Sequence, residues 1–212
     1  LPEPVQDPTI AAHATAEIML ERYGVLTRGS VAAEAVPGGF GQLYRVLSKL
    51  EEAGHARRGY FIEKLGAAQF STSNTIDRLR GFVLPDDPRR QPEAMVLAAT
   101  DPANPYGAAL PWPATQTGHR PGRKAGAIVG MLDGELVLYL ERGGRTVLAF
   151  GEPSGEAWAL LAARLVTALR RATVDKIAIA TVNGDPVQEH PAAAALLGAG
   201  FYSTPQGIRF RR

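Results

Sequence analysis

The sequence predicts an α+β protein of two domains, and three observations lead to this prediction. In the first 84 residues, apolar side chains recur at intervals of three and four, which is the period of amphipathic helices. Residues 85–93 are rich in proline and charge and follow neither the helical nor the strand period. From residue 94 onwards, short apolar runs are joined by glycine-containing dipeptides, which is typical of antiparallel strands. We therefore predict a first domain over 1–84, a linker over 85–93 and an antiparallel, β-rich α+β domain over 94–212.

Four helices are predicted in the first domain, and the last is a short helix that Ser73 or Asn74 caps and that carries Ile76, Leu79, Phe82 and Val83. Asp7-Pro8 begins a helix that extends to about residue 23, because Asp caps a helix well and Pro is tolerated at its first position. We expect this helix to bury Ile10, Ala14, Ile18 and Met19. Thr27 caps a short second helix. The third helix follows the break at Pro37-Gly38-Gly39, carries apolar residues at 40, 43, 47, 50 and 53 on one stripe, and ends at Gly54.

A basic hairpin follows the third helix. A strand is predicted over 57–62, a turn at Leu65-Gly66 and a returning strand over 67–70. Three helices and such a hairpin are the layout of a winged helix, in which the last helix enters a nucleic-acid groove and the wing meets phosphate. The candidate contacts are Gly38, Gly39, Gln42, Arg45, Lys49, Arg57 and Arg58, with Tyr60 as a ring that can stack on an unpaired base. The alternative is a solvated face whose charge is balanced by Glu51 and Glu52.

The second domain contains a predicted antiparallel meander with strands over 125–132, 135–141 and 145–150. Asp133-Gly134 and Gly143-Gly144 join these strands, and both dipeptides suit tight hairpin turns. A helix over 154–172 follows, with one apolar face made of Trp158, Leu161, Leu165 and Leu169. A strand over 176–182, a small helix after Pro191 and a basic strand over 208–212 complete the domain. We predict a strongly bent or barrel-like sheet with two helices.

Two loops of the second domain carry candidate functional residues. Residues 118–124 are rich in glycine and basic residues, but Ala125 stands where a nucleotide-binding loop needs a hydroxyl group. Arg120, Arg123 and Lys124 are candidate phosphate contacts there, and a solvated loop is the alternative. In the proline-rich loop over 101–113, Tyr106 and Trp112 either stack on unpaired bases or pack in the core.

Composition excludes several classes of function. The 212 residues include no cysteine, which removes disulfides, thiolate nucleophiles and cysteine-bound metals. The four histidines lack the spacing of a metal site, and no Gly-x-Ser-x-Gly motif occurs, so we expect no metal, cofactor or catalytic residue here. The net charge is only +2, and any basic surface must therefore be local. No apolar run approaches the ~20 residues that span a bilayer, and we expect a cytoplasmic protein without a membrane partner.

Several segments resemble the C-terminal region of the bacterial large helicase-related proteins, called Lhr proteins: RYGVLTRG over 22–29, GYFIEKLGAAQF over 59–70, DPANPYG over 101–107 and RPGRKAGA over 120–127. The resemblance implies part of a superfamily 2, ATP-dependent 3′-to-5′ DNA repair helicase, whose upstream motor domains hold ATP and magnesium. It also implies an architecture similar to that of winged-helix DNA glycosylases, which use a Gln-aliphatic-Gln or Gln-aliphatic-Asp motif. No glutamine of this chain stands in such a motif.

Three functional hypotheses follow. The leading one is a non-catalytic DNA-binding accessory module of a repair helicase, with single-stranded or tailed duplex DNA as its partner. The second is part of a module similar to a uracil-DNA glycosylase. The third is a scaffold that self-associates, or that docks on the upstream helicase domains, through the helix over 155–172 and through exposed strand edges.

Overall fold

The computed structural model describes residues 7–63, 65–66, 68–82, 90, 92–115, 117–172 and 176–211. The chain divides into two compact units, one of Leu1–Pro88 with Ala108–Leu110 and one of Arg89–Gly107 with Pro111–Arg212. Most of the predicted linker over 85–93 lies outside the described residues. Each unit has its own core and is described by itself.

The first unit is a winged helix. Its elements are α1 (Pro8–Tyr23), β1 (Val25–Leu26), α2 (Arg28–Ala33), α3 (Gly39–Glu52), β2 (Arg57–Gly59), β3 (Gln69–Ser71) and α4 (Ser73–Gly81). The strands form an antiparallel sheet in the order β1-β3-β2. As predicted, the side chains of Asp7 and Thr27 accept hydrogen bonds from backbone N–H groups at the starts of α1 and α2.

The predicted buried face of α1 was wrong in part. The helix buries Ala12, Ala16, Met19 and Leu20. Ile10 and Ile18 are instead 58% and 54% exposed, and the smaller side chains of Ala12 and Ala16 are buried in the core. The two alanines are small enough to let α1 lie close to the leucine stripe of α3, and the distance between packed helices is set by the side chains at their contact.

The hairpin of the first unit is shorter than predicted, because a side chain replaces part of the strand ladder. Strand β2 ends at Gly59 and not at residue 62. The side-chain oxygen of Gln69, a residue with no exposed surface, accepts hydrogen bonds from the backbone N–H groups of Phe61 and Ile62. Its side-chain NH₂ donates to the carbonyl oxygens of Ile62 and Gly66 at 2.8 and 2.7 Å. These groups therefore bond to Gln69 and not to a facing strand.

The second unit contains two sheets and two α-helices among its described residues. The elements are β4 (Ala94–Ala98), β5 (Ile128–Leu132), β6 (Glu135–Leu140), β7 (Thr146–Ala149), α5 (Gly155–Arg171), β8 (Lys176–Ile179), β9 (Thr181–Val182), β10 (Asp185–Pro186), α6 (Ala192–Gly198), β11 (Tyr202–Thr204) and β12 (Gly207–Arg211). One sheet has the order β10-β9-β7-β6-β5-β4, and the other has the order β11-β12-β8.

The topology of this unit differs from the prediction in three respects. The strand predicted over 176–182 is divided into β8 and β9, which belong to different sheets. Neither sheet closes on itself over the described strands, so the barrel-like form is not confirmed. The sheet is also not wholly antiparallel, because β7 and β9 pair in parallel with α5 as the crossover between them. The β5-β6-β7 meander is confirmed, and Asp133 and Gly134 both take the positive φ that its first turn needs.

Apolar groups cover both faces of the six-stranded sheet. Helix α5 packs on one face, and all four residues of its predicted apolar stripe are buried: Trp158, Leu161, Leu165 and Leu169. The proline-rich loop covers the other face, where Tyr106 and Trp112 join a cluster around Tyr139. Tyr106 and Trp112 of this loop therefore pack against the sheet of their own unit.

Candidate nucleic-acid interface

An open groove of about 560 Å³ runs between the start of α1 and the outer side of α3. Its lining residues are Pro8, Thr9, Ala12, Gly38, Gly41, Gln42, Arg45, Val46 and Lys49. Four of the residues predicted to contact nucleic acid, Gly38, Gln42, Arg45 and Lys49, meet in it. Since none of the lining residues is acidic, the charge of this groove is positive.

Arg45 and Lys49 supply that charge. They are four residues apart on α3 and share one side of the helix with Gln42, because the helix has a period of 3.6 residues per turn. Both side chains are exposed, and neither has a hydrogen-bond or ion-pair partner among the described residues. Cations that are not committed to a carboxylate are available to an incoming phosphate.

The start of α3 is open at Gly39 and Gly41. Gly38 and Gly39 have φ values of +74° and +59°, and no side chain caps the helix. Nothing lies within 4 Å of the position that a Cβ would occupy at Gly39 or Gly41. The free backbone N–H groups and the dipole of a helix N-terminus favour an anion. At Gly38 an anion meets the side chain of Gln42, whose Oε1 lies 1.7 Å from the position of an added Cβ, whereas the space at Gly39 and Gly41 is open.

The wing arginines are not brought into this groove. The guanidinium of Arg58 donates to the hydroxyl of Tyr44 at 2.6 Å and pairs with the carboxylate of Glu51 at 3.3 Å. Neither Tyr44 nor Glu51 lines the groove, so Arg58 lies on the other flank of α3. Arg57 donates from Nε to the hydroxyl of Ser73 at 2.9 Å, and the Tyr60 ring is 61% exposed on the wing.

One exposed cation near α3 was missed by the sequence analysis. The guanidinium carbon of Arg28 lies 5.5 Å from the centre of the Phe40 ring, and Phe40 belongs to the first turn of α3. Arg28 is also the first residue of α2, where a cation is disfavoured by the helix dipole. The sequence did contain a signal for this residue. Arg28 is a cation at an unfavourable helix position, and it comes shortly before α3, which begins with glycine.

The three basic residues of the loop over 118–124 differ in their surroundings. The side chain of Arg123 donates to four backbone carbonyl oxygens, those of Thr100, Asp101, Asn104 and Tyr106, at distances of 2.7–3.4 Å. Its guanidinium is therefore occupied by the proline-rich loop. Arg120 and Lys124 are exposed, and their side chains have no partner among the residues that the structure describes. These two remain candidate phosphate contacts in the second unit.

Tyr106 and Trp112 are placed as packing residues. Their rings stack with centres 6.2 Å apart, and Trp112 meets the Tyr139 ring edge-on at 5.6 Å. A Cβ at Gly107 would lie 2.3 Å from the indole nitrogen of Trp112, so the indole occupies the space that a side chain at this position needs. The Tyr139 hydroxyl donates to the carbonyl of Gly122 at 3.0 Å, and burial raises the pKa of Tyr139.

The described part of the chain contains no cluster of three or more His, Asp or Glu residues that fits a metal ion. None of the described helices has the length and apolarity needed to cross a membrane.

Comparison with known proteins agrees with the winged helix and extends beyond it. Residues 5–91 match the family described as large helicase-related protein, winged-helix domain. The whole chain is 50% identical to the Lhr helicase/probable uracil glycosylase of Mycolicibacterium smegmatis. The chain belongs to the Lhr family. The Lhr helicase/uracil glycosylase of Escherichia coli is 41% identical over 97% of the chain. The chain spans 14% and 13% of the lengths of these two Lhr proteins.

The segments that suggested an Lhr protein contain side chains that shape loops. Gln69 lies in GYFIEKLGAAQF and forms the hydrogen bonds of the wing. Asn104 lies in DPANPYG, is 1% exposed, and donates from its side chain to the carbonyl oxygens of Ala99 and Tyr106. Arg123 lies in RPGRKAGA and bonds to the same loop as Asn104. The hydrogen bonds of Gln69, Asn104 and Arg123 thus give these three residues of the segments a role in holding loops in place.

Proposed function

We propose that this Lhr chain binds DNA through the groove between α1 and α3, with single-stranded or tailed duplex DNA as its ligand. The observation that carries the proposal is the pair of unpartnered cations, Arg45 and Lys49, in a groove without acidic residues beside the open start of α3. The third helix of a winged helix is also the element that enters a nucleic-acid groove in proteins of this fold.

Each part of the groove has a chemical role in this proposal. Arg45 and Lys49 neutralise successive phosphates, which releases counterions and favours binding at low salt. The start of α3 receives one further phosphate oxygen on its backbone N–H groups. Gln42 lies between these two regions and has both a donor and an acceptor for a base edge. Arg28, held over Phe40, adds a cation at the start of α3.

The proposal is tested with the full chain, a fluorescent tailed duplex and a salt titration. Arg45→Gln combined with Lys49→Gln removes the partners of two phosphates, and the slope of log affinity against log salt should fall by about 1.4 on a single-stranded tail. The control is Arg78→Gln combined with Arg80→Gln, which removes the same charge from exposed positions on α4. If both double variants weaken binding equally, the proposed groove is not the binding site.

The relatives' names support a role for this chain within a larger protein. We propose that the chain serves a DNA repair helicase whose ATP- and magnesium-dependent motor lies outside it, and that the motor domains are its neighbours in the same protein. The apolar face of α5 is already buried within the second unit, so docking or self-association through that face would require the unit to open.

Uracil excision is the second candidate, because both relatives' names include uracil glycosylase. A glycosylase must hold an extruded base beside a group that assists cleavage. The groove between α1 and α3 has no carboxylate for this purpose, and the sequence has no Gln-aliphatic-Gln or Gln-aliphatic-Asp motif. We expect uracil-containing DNA to stay intact after incubation with the chain and then alkali. Strand scission above that of uracil-free DNA would assign excision to this chain.

A further inference from the structure

The small sheet of the second unit has one apolar face and one basic face. In β8 and β12, Ile177, Ile179, Ile208 and Phe210 are buried in the core. The residues between them point to the opposite side, because side chains alternate along a strand. Together with Tyr202 of β11, that side consists of Lys176, Ala178, Tyr202, Arg209 and Arg211, which we call the basic platform. These five residues line an open depression of about 930 Å³.

Strand pairing brings the cations of the basic platform together. Arg211 of β12 is the direct partner of Lys176 of β8. Like charges at directly opposite positions destabilise an antiparallel pair. Arg209 lies two residues along β12 on the same face, and no acidic residue lines the depression. The side chains of Lys176 and Arg211 have no hydrogen-bond or ion-pair partner among the described residues, so this repulsion is not relieved by any group that the structure describes.

The second row of the basic platform joins an aromatic ring to a cation. Tyr202 of β11 pairs directly with Arg209, and Arg209 pairs on its other side with Ala178. The Tyr202 ring is 46% exposed, while Arg209 is held in place by a hydrogen bond from its guanidinium to the Gln206 side chain at 2.9 Å. Ala178 has only a methyl side chain, so the surface of the sheet is recessed next to Tyr202 and Arg209.

We propose that the basic platform is a second nucleic-acid site that takes a single strand, with phosphates on Lys176, Arg209 and Arg211 and an unpaired base on Tyr202. A row of cations beside an exposed aromatic ring is the combination that single-strand binding proteins use, since every base has a face that can stack. A free inorganic anion would need the cations but not the ring. A duplex would keep its bases stacked inside and leave Tyr202 unused.

The charge contribution is tested by fluorescence anisotropy of a labelled single-stranded oligonucleotide with the full chain. The variant Lys176→Gln/Arg209→Gln/Arg211→Gln should lower the salt slope by about 2, because each phosphate of a single strand that a cation neutralises adds about 0.7 to that slope. The matched control Arg164→Gln/Arg170→Gln/Arg171→Gln removes three exposed charges from α5 in the same unit. Equal slopes in the two triple variants would overturn the proposal.

The stacking contribution is tested at Tyr202 alone. Tyr202→Ala should weaken single-strand binding about fivefold or more, whereas Tyr202→Phe keeps a ring and should bind like the parent chain. Photocrosslinking with an oligonucleotide that contains 5-iododeoxyuridine should label the peptide carrying Tyr202. If polyglutamate displaces the oligonucleotide from the parent chain and Tyr202→Ala has no effect, the surface is a general polyanion site, and the proposal is wrong.

These tests are independent of the groove between α1 and α3. The platform variants are compared with their control in a chain that retains Arg45 and Lys49, and again in the Arg45→Gln/Lys49→Gln background. A defect of the platform triple variant in both backgrounds supports the second site whether or not the groove binds DNA. A defect in neither background removes the second site and leaves the groove proposal untouched.

Discussion

Arg123 donates from Nη1 to the carbonyl oxygen of Asn104 at 2.7 Å, and Asn104 is itself a buried residue that bonds to its own loop through its side chain. The Asn104 side-chain oxygen accepts from the N–H of Tyr106 at 3.1 Å, and its NH₂ donates to the carbonyl of Ala99 at 2.9 Å. The proline-rich loop is thus held from inside by an amide and from outside by a guanidinium. This arrangement positions Tyr106 and Trp112 on the sheet.

Replacing Arg123 should destabilise the second unit. Arg123→Ala leaves several loop carbonyls without a charged donor, and the free energy of unfolding should fall by about 1.5–3 kcal/mol. Both tryptophans, Trp112 and Trp158, lie in this unit, so urea unfolding followed by tryptophan fluorescence reports on it directly. Arg120→Ala is the control and should change stability by no more than about 0.5 kcal/mol, as exposed positions usually do. Equal stabilities of the two variants would contradict the structural role of Arg123.

Replacing Gln69 should loosen the wing. Gln69→Leu fills a similar space but leaves the N–H groups of Phe61 and Ile62 without their acceptor, at a cost of about 1–3 kcal/mol. Hydrogen exchange at these two amides should accelerate more than exchange at the amides of α1. Glu63→Ala, an exposed substitution in the same loop, should leave the exchange rates unchanged. Unaltered protection in Gln69→Leu would show that the wing is held by other groups.

The second unit should lose stability in mild acid through His190. Burial lowers the pKa of His190 more than Asp185 raises it. The unfolded chain, with a histidine pKa of about 6.5, then binds protons before the folded chain does. The stabilisation is therefore complete above that pH and is lost as the pH falls through the folded pKa. The Nδ1 atom also accepts the N–H of Ala192 at 3.1 Å, and only the neutral ring can do so.

The measurement is the melting temperature of the parent chain and of His190→Asn between pH 5 and pH 8. Asparagine does not titrate and can still accept from the start of α6. The parent should lose stability towards pH 5 more steeply than the variant. A parallel decline in both proteins would show that other groups cause the acid sensitivity.

A separate loss should occur in stronger acid through Asp133. A hydrogen bond from the backbone N–H of Glu93, followed in importance by the Arg90 guanidinium, lowers the pKa of the Asp133 carboxyl. The stabilisation is present above the unfolded pKa of about 3.9 and is lost as the pH falls through the folded value. Asp133→Asn tolerates the positive φ of the turn but cannot titrate. Tryptophan fluorescence between pH 2 and pH 5 should show a smaller pH dependence in this variant.

The parts of the fold that depend on neighbouring residues were predicted well. The caps at Asp7 and Thr27 and the turn at Asp133-Gly134 involve groups only a few positions apart, so their signals are local. The parallel pairing of β7 with β9 joins residues separated by an entire helix, and nothing near Thr146 indicates it. The altered buried face of α1 shows the same limit, because side-chain size alone does not tell which residues a neighbouring helix can approach.

The candidate sites also differ in whether they depend on residues close together or far apart in the sequence. Gln42, Arg45 and Lys49 share a helical side, and their grouping can be read from spacing alone. The pairing of Lys176 with Arg211 cannot, because it depends on two strands separated by α6 and β11. The local signal of the platform was the alternation of apolar and basic residues in Ile208–Arg209–Phe210–Arg211, which indicated a two-faced strand but not its neighbours.

The wing of the first unit has a practical consequence for comparing relatives. Because an internal glutamine fixes the path of the loop, the exposed residue Glu63 can be replaced without disturbing the backbone. Relatives that keep a glutamine at position 69 should therefore share the loop geometry of the wing. Under the proposed function, differences in DNA preference between relatives should follow the residues at positions 42, 45 and 49.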